Sequence, residues 1–126
     1  MPGRVVDASV LAAWCFREPG ASEALGFLQG SDLYAPVLLA YELTSIARRK
    51  ATVHPQKLSV LAEALQTALA LPIHWIEVDH AAVLRLALGV NLTTYDSSYL
   101  YLARALGASL ATFDRRLAQA ARNVGA

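Results

Sequence analysis

The sequence predicts an α/β fold: a three-layer α/β/α sandwich around a central, mainly parallel sheet of 4–5 short strands. Two observations lead there. Short apolar runs alternate with longer helical patterns from one end to the other, and strands that alternate with helices read as βα units with helices on both faces of the sheet. In addition, 56% of the 126 residues are hydrophobic and 17% charged, the composition of a packed protein with a substantial core. No linker, repeat or low-complexity tract interrupts the pattern, so residues 1–126 are expected to form one domain.

The elements follow in order. Arg4-Val5-Val6-Asp7 reads as a short first strand. Ala8 to Phe16 is a helical stretch stopped by Glu18-Pro19-Gly20. Ala21 to Gln29 is a second helix, with Leu25 and Leu28 on one face and Gly30 at its end. Leu33-Tyr34-Ala35 is a second strand, and Pro36 suits the first turn of a helix running to about Lys50. His54-Pro55 opens a helix with Leu58, Leu61, Leu65 and Leu69 at helical spacing, ended by Pro72. Ile73 to Val78 is a third strand, followed by a helix from Ala81 to Leu88 that stops at Gly89. Thr93-Thr94 precedes a helix from about Tyr95 to Leu106, stopped by Gly107. Ser109 to Thr112 forms a fourth strand, and a last helix spans about Arg115 to Arg122.

Charge and cysteine content narrow the function classes. The formal net charge is +1, so no global basic field draws nucleic acid, and a local patch must steer any such partner. Cys15 is the one cysteine, which rules out an intrachain disulfide and fits a reducing compartment. No segment reaches the ~18–20 apolar residues of a membrane span, and Asp7 interrupts the would-be core of a signal peptide. A cytoplasmic protein without a membrane partner is the expectation.

Four of the ten acidic residues stand against core elements: Asp7, Glu42, Asp96 and Asp114. Burying a carboxylate is costly unless a cation offsets its charge. Taken singly, each aspartate is more often a helix cap or a dipole partner than a ligand. Glu42 has no cap role, because it lies inside an apolar stretch with Leu38, Leu39, Leu43 and Ile46 around it. A salt bridge to Arg49, a metal ion or a catalytic role would each explain it. In open parallel sheets ligands bind beyond the carboxyl ends of the strands. Asp7 follows the first strand and Asp114 the fourth, so both belong to that edge, and all four acids are expected to converge there on a cation site.

Four sequence blocks resemble the PIN-domain family and, within it, VapC-like toxin ribonucleases of type II toxin–antitoxin modules. They are Val5-Val6-Asp7-Ala8-Ser9, the stretch from Pro36 to Leu43 around Glu42, the stretch from Leu92 to Ala103 around Asp96, and the stretch from Leu106 to Leu117 that contains Thr112 and Asp114. The resemblance implies a divalent-metal-dependent endoribonuclease whose acidic quartet is Asp7, Glu42, Asp96 and Asp114. Ser9 and Thr112 match supporting hydroxyl positions. Ser97-Ser98 departs mildly from the family, where an alanine often follows the third acid. Mg²⁺, or Mn²⁺, is the implied cofactor, since hard ions take oxygen ligands. The implied partners are an RNA substrate, a VapB-like antitoxin and a second copy of the chain in a homodimer, and the implied products carry 5′-phosphate and 3′-hydroxyl ends. Alternatives are a PIN nuclease in RNA processing and a catalytically inactive RNA-binding module. A receiver-type signalling domain fits poorly, because Asp7 has no acidic neighbour and Lys50 and Lys57 are the only lysines.

Several basic and aromatic residues carry a second reading. Arg115 and Arg116, directly after Asp114, are candidates for phosphate contact, as is Arg49. Arg48-Arg49-Lys50 equally suits the negative end of its helix. Trp14 and Trp75 are expected in packing rather than in base stacking, and the three histidines lack metal-ligand spacing.

Overall fold

The computed structural model describes residues 3–125. Its elements are β1 (Arg4–Val6), α1 (Ala8–Cys15), α2 (Ala21–Leu28), β2 (Leu33–Pro36), α3 (Leu38–Val53), a 3₁₀ turn (Pro55–Lys57), α4 (Leu58–Leu69), β3 (Ile73–Ile76), α5 (His80–Val90), α6 (Thr94–Leu106), β4 (Ser109–Ala111) and α7 (Arg115–Asn123). The four strands are ordered β3-β2-β1-β4, and every pairing is parallel. One helical layer joins α1 to α2, α3 and α4, and the other joins α6 to α5 and α7, with α6 lying against β1, β2 and β4. The arrangement is the α/β three-layer sandwich expected of the sequence.

Parallel strands covered on both faces carry continuous apolar runs rather than alternation. Val5 and Val6 are accordingly fully buried in the interior strand β1, beside Leu11, Leu39, Leu43, Leu100 and Leu102. Chain order runs outward from β1 through β2 to β3 and then returns to the other side of β1 for β4. The direction therefore reverses between β1 and β4, and the crevice at such a switch point is where open α/β sheets bind ligands.

Several element ends and one helix face differ from the sequence expectation; the third strand, for one, stops at Ile76 rather than Val78. Pro36 closes β2, opposite Ile76, instead of opening α3; the ladder continues one bond further, from Val37 N–H to the Ile76 carbonyl at 3.1 Å. Helix α3 runs beyond Lys50 to Val53 and stops because His54 precedes a proline, which disfavours helical backbone; its φ is −128° and ψ 73°. Gly89 lies inside α5, whose stop is Asn91 in the left-handed region at φ 57°. In α2 the fully buried residue is Ala24 and Leu28 packs partly buried against the core, while Leu25 is 40% exposed, so only the Leu28 half of the expected face packs.

Candidate active site

Asp7 ends β1 and caps α1, two roles that place its carboxylate at the switch point. It is 6% exposed. Its Oδ1 accepts from Ser9 Oγ at 2.6 Å and from Val10 N–H at 3.2 Å, and its Oδ2 accepts from Thr112 Oγ1 at 2.5 Å. The two hydroxyls are themselves tied to the segment after β4. Ser9 Oγ accepts from Phe113 N–H at 2.9 Å, and Thr112 Oγ1 accepts from Asp114 N–H at 3.0 Å. Residues 105 positions apart thus share one network. Burial pushes the Asp7 carboxyl above the usual range, and its hydrogen bonds, led by those of Ser9 and Thr112, pull it part of the way back.

Glu42 faces the same edge from α3. The Tyr99 hydroxyl, on α6, donates to Glu42 Oε1 at 2.5 Å, a bond that joins the two helical layers. The expected alternative partner, Arg49, instead donates to Ser45 Oγ at 3.3 Å. Burial is the main cause that raises the Glu42 carboxyl. Tyr99 opposes the rise, while the charges of Asp96 and Asp7 add to it. Tyr99 is 1% exposed, and its phenol is held far above the ordinary tyrosine value by burial and then by Glu42, so it is a hydrogen-bond donor at any working pH.

Asp96 is half-buried in the first turn of α6. The cap of that helix is Thr93, whose Oγ1 accepts from Asp96 N–H at 3.0 Å. Burial raises the Asp96 carboxyl and Asp114 raises it further; the Thr93 hydroxyl beside the carboxyl and the charge of Arg116 act against them. Asp114 is exposed and caps α7, with Oδ1 accepting from Arg116 N–H at 2.9 Å and Leu117 N–H at 3.1 Å. Among the described residues its second oxygen has no partner. All four acids therefore belong to one electrostatic group: Asp7 and Asp96 act on Glu42, and Asp114 acts on Asp96.

The family model of the PIN domain matches residues 4–123. The chain belongs to the PIN-domain family. Its fold is similar to a solved structure, that of PAE2754 from Pyrobaculum aerophilum, with a TM-score of 0.77 and 25% identity, over 98% of this chain and 86% of that one. No functionally curated protein matches the chain. PIN domains are generally nucleases that act on nucleic acid and generally use divalent metal ions.

Among the described residues of this PIN domain, no three His, Cys, Asp or Glu side chains form a ready-made metal site. That arrangement suits a closed zinc site poorly. The donor set nevertheless fits Mg²⁺, which keeps several waters and takes only one or two carboxylates plus substrate oxygens. Three carboxyls raised by burial, with neighbouring acids adding to the rise at Glu42 and Asp96, are groups that a cation would relieve.

The remaining predicted residues separate. Arg116 lies close enough to lower the Asp96 carboxyl, and its Nη2 donates to the Asn91 carbonyl at 3.3 Å. Arg115 is exposed, and among the described residues its side chain makes no hydrogen bond or ion pair. Lys50 pairs with Glu18 at 2.6 Å and pins the end of α3 to the loop after α1. Trp14 and Trp75 pack against the core, and no histidine joins the acidic group.

Two features escaped the sequence reading. The helical pattern alone gives Tyr99 no special role, although a tyrosine in an apolar stretch needs a partner for its hydroxyl and Glu42 needs a donor. Ser97 is fully buried with an unpartnered Oγ at the position where an alanine was expected, and nothing in the sequence pattern marks its hydroxyl as unsatisfied.

Proposed function

We propose that this PIN domain, read as one unit over residues 1–126, is a metal-dependent endoribonuclease that hydrolyses RNA phosphodiester bonds and acts as the toxin of a toxin–antitoxin pair. The observation that carries the nuclease reading is the acidic group at the switch point, in which three carboxyls sit above their usual range. Asp7 and Asp96 would be the main direct ligands, Asp114 would bind directly or through water, and Glu42 would hold a second ion or orient the attacking water. When bound, Mg²⁺ or Mn²⁺ would offset charge on the phosphate and make the attacking water more acidic.

The chain's own side chains supply the rest. Ser9 and Thr112 fix both oxygens of Asp7, and Tyr99 fixes one oxygen of Glu42, so neither carboxylate has to reorganise as charge moves. Arg116, with Arg115 beside it, would meet a substrate phosphate, a role supported by its closeness to Asp96. The toxin role rests on the resemblance. With it come a cytoplasmic setting, a VapB-like antitoxin covering the acidic edge, and a homodimer. Among the described residues no helix is long and apolar enough to cross a membrane.

The test is cleavage of total RNA by the natural chain, Asp7→Asn and Asp96→Asn in Mg²⁺, Mn²⁺ or EDTA. Metal-dependent cleavage, abolished in both folded variants, is the expected result. Cleavage that survives both substitutions would remove the acidic group from the mechanism. A gene for a small DNA-binding protein beside this one would support the toxin assignment.

A further inference from the structure

A cleft of about 450 Å³ opens next to the acidic group, within the roughly 300–1,000 Å³ typical of small-ligand sites. Ser9 lies on its wall, the same residue that donates to Asp7, so the cleft begins one side chain away from the proposed catalytic carboxylate. Phe113 and Ile46 give it apolar walls, and Arg49, Glu23 and Glu18 stand on its lining, Glu18 with its charge offset by Lys50. The Phe113 ring is held against Phe27, centroids 6.0 Å apart, and its backbone N–H is fixed by Ser9.

Along α3 the positions 42, 46 and 49 share a face, because residues four and seven apart return to the same side of a helix. Seven residues advance about 10 Å along the axis. That face therefore runs from the acidic group, past an apolar residue, to an unpaired guanidinium: Arg49 forms no ion pair among the described residues.

We propose that this cleft is a nucleobase subsite for the nucleotide next to the scissile phosphate of a single-stranded RNA, a reading that rests on the nuclease function above. The base lies against Phe113 and Ile46, and the neighbouring phosphate meets Arg49. Charge sets the orientation. Glu23 repels a phosphate but accepts from the N–H groups on a base edge, whereas Arg49 does the reverse. Unpaired bases are commonly read by stacking on aromatic side chains, and the aromatic side chain with its backbone tied to the catalytic network is Phe113.

The test compares two ligands in the Asp96→Asn background: a labelled single-stranded RNA of roughly ten nucleotides and a fully abasic oligomer of the same length. Phe113→Leu keeps apolar bulk but removes the ring face; Phe113→Tyr restores the ring. Phe113→Leu is expected to weaken RNA binding roughly tenfold, to leave the abasic oligomer unchanged, and to be rescued by Phe113→Tyr. Arg49→Ala is expected to weaken both ligands and flatten their salt dependence. Equal effects of Phe113→Leu on the two ligands, no effect on either, or no RNA binding at all would each overturn the subsite. The nuclease reading is judged separately, by cleavage with Asp96 intact. Base-dependent binding without cleavage would sink the nuclease and leave the subsite standing; cleavage without base-dependent binding would do the opposite.

Discussion

Tyr99 and Glu42, 57 positions apart, share a 2.5 Å hydrogen bond in which the phenol donates to Oε1 of the carboxylate. The bond crosses from one helical layer to the other beside the acidic group. Hydrogen bonds to charged groups contribute about 1.5–3 kcal/mol. Tyr99→Phe keeps the ring and removes the donor, so Glu42 loses the contact that opposes its raised carboxyl. A loss toward the lower end of that range is expected in urea unfolding at neutral pH. RNA cleavage should fall at least tenfold, with more of the loss in kcat than in KM, because Glu42 is left free to wander. An unchanged kcat would show that Glu42 needs no positioning.

Thr112→Val tests the Asp7 network. Valine matches threonine in shape but cannot donate to Oδ2, and the buried carboxylate is then left with Ser9 and Val10 on the other oxygen alone. An under-satisfied buried acceptor costs about 1–3 kcal/mol. The metal-free protein should lose stability in that range at neutral pH, and most of the loss should vanish in Asp7→Asn/Thr112→Val relative to Asp7→Asn. A loss of equal size in both backgrounds would assign Thr112 to packing and to the bond it accepts from Asp114 N–H rather than to Asp7.

The acidic group also sets a pH dependence. Asp7, Glu42 and Asp96 all have carboxyls raised on folding, with burial as the leading cause. Such a group binds its proton more tightly folded than unfolded. Between the ordinary carboxylate range and the raised value the folded chain holds more protons, so this contribution to stability falls as pH rises through the window. Without divalent ions, the urea midpoint should therefore drop as pH rises above the ordinary carboxylate range, and Asp96→Asn should flatten the drop. Added Mn²⁺ should raise the midpoint most at the higher pH, where the carboxylates are charged, and EDTA should reverse it. A midpoint that climbs with pH in metal-free buffer and is not changed by Asp96→Asn would contradict this account.

Ser97→Ala should stabilise the protein. The hydroxyl is fully buried with no hydrogen-bond partner, so its removal relieves a desolvated polar group at little cost in packing. A gain of about 1 kcal/mol, or roughly 2–6 °C in Tm, is expected in thermal unfolding, with RNA cleavage unchanged. A lower Tm would mean that the hydroxyl fills space the methyl leaves empty.

Much of this protein was legible in the sequence alone, because local signals report on local structure. Apolar runs separated by helical patterns carried the order of βα units and hence the parallel three-layer fold. Asp7 and Asp114 announced themselves as caps after strands, and Glu42 as a charge with no local reason to be where it is. Element ends were less legible. Pro36 closes β2 because Ile76 lies opposite it, and α2 buries Ala24 rather than Leu25 because of how α1 lies against it. Neither fact exists in a single segment.

The tertiary structure alone decided which groups meet. The switch between β1 and β4 depends on strand order, which local periodicity does not encode, and it is this switch that brings Thr112 to Asp7. The pairing of Tyr99 with Glu42, the orphaned hydroxyl of Ser97 and the placement of Phe113 beside the acidic group arise the same way. Each depends on the packing of segments distant in the chain, where a side chain's partner is set by the fold rather than by its neighbours in sequence.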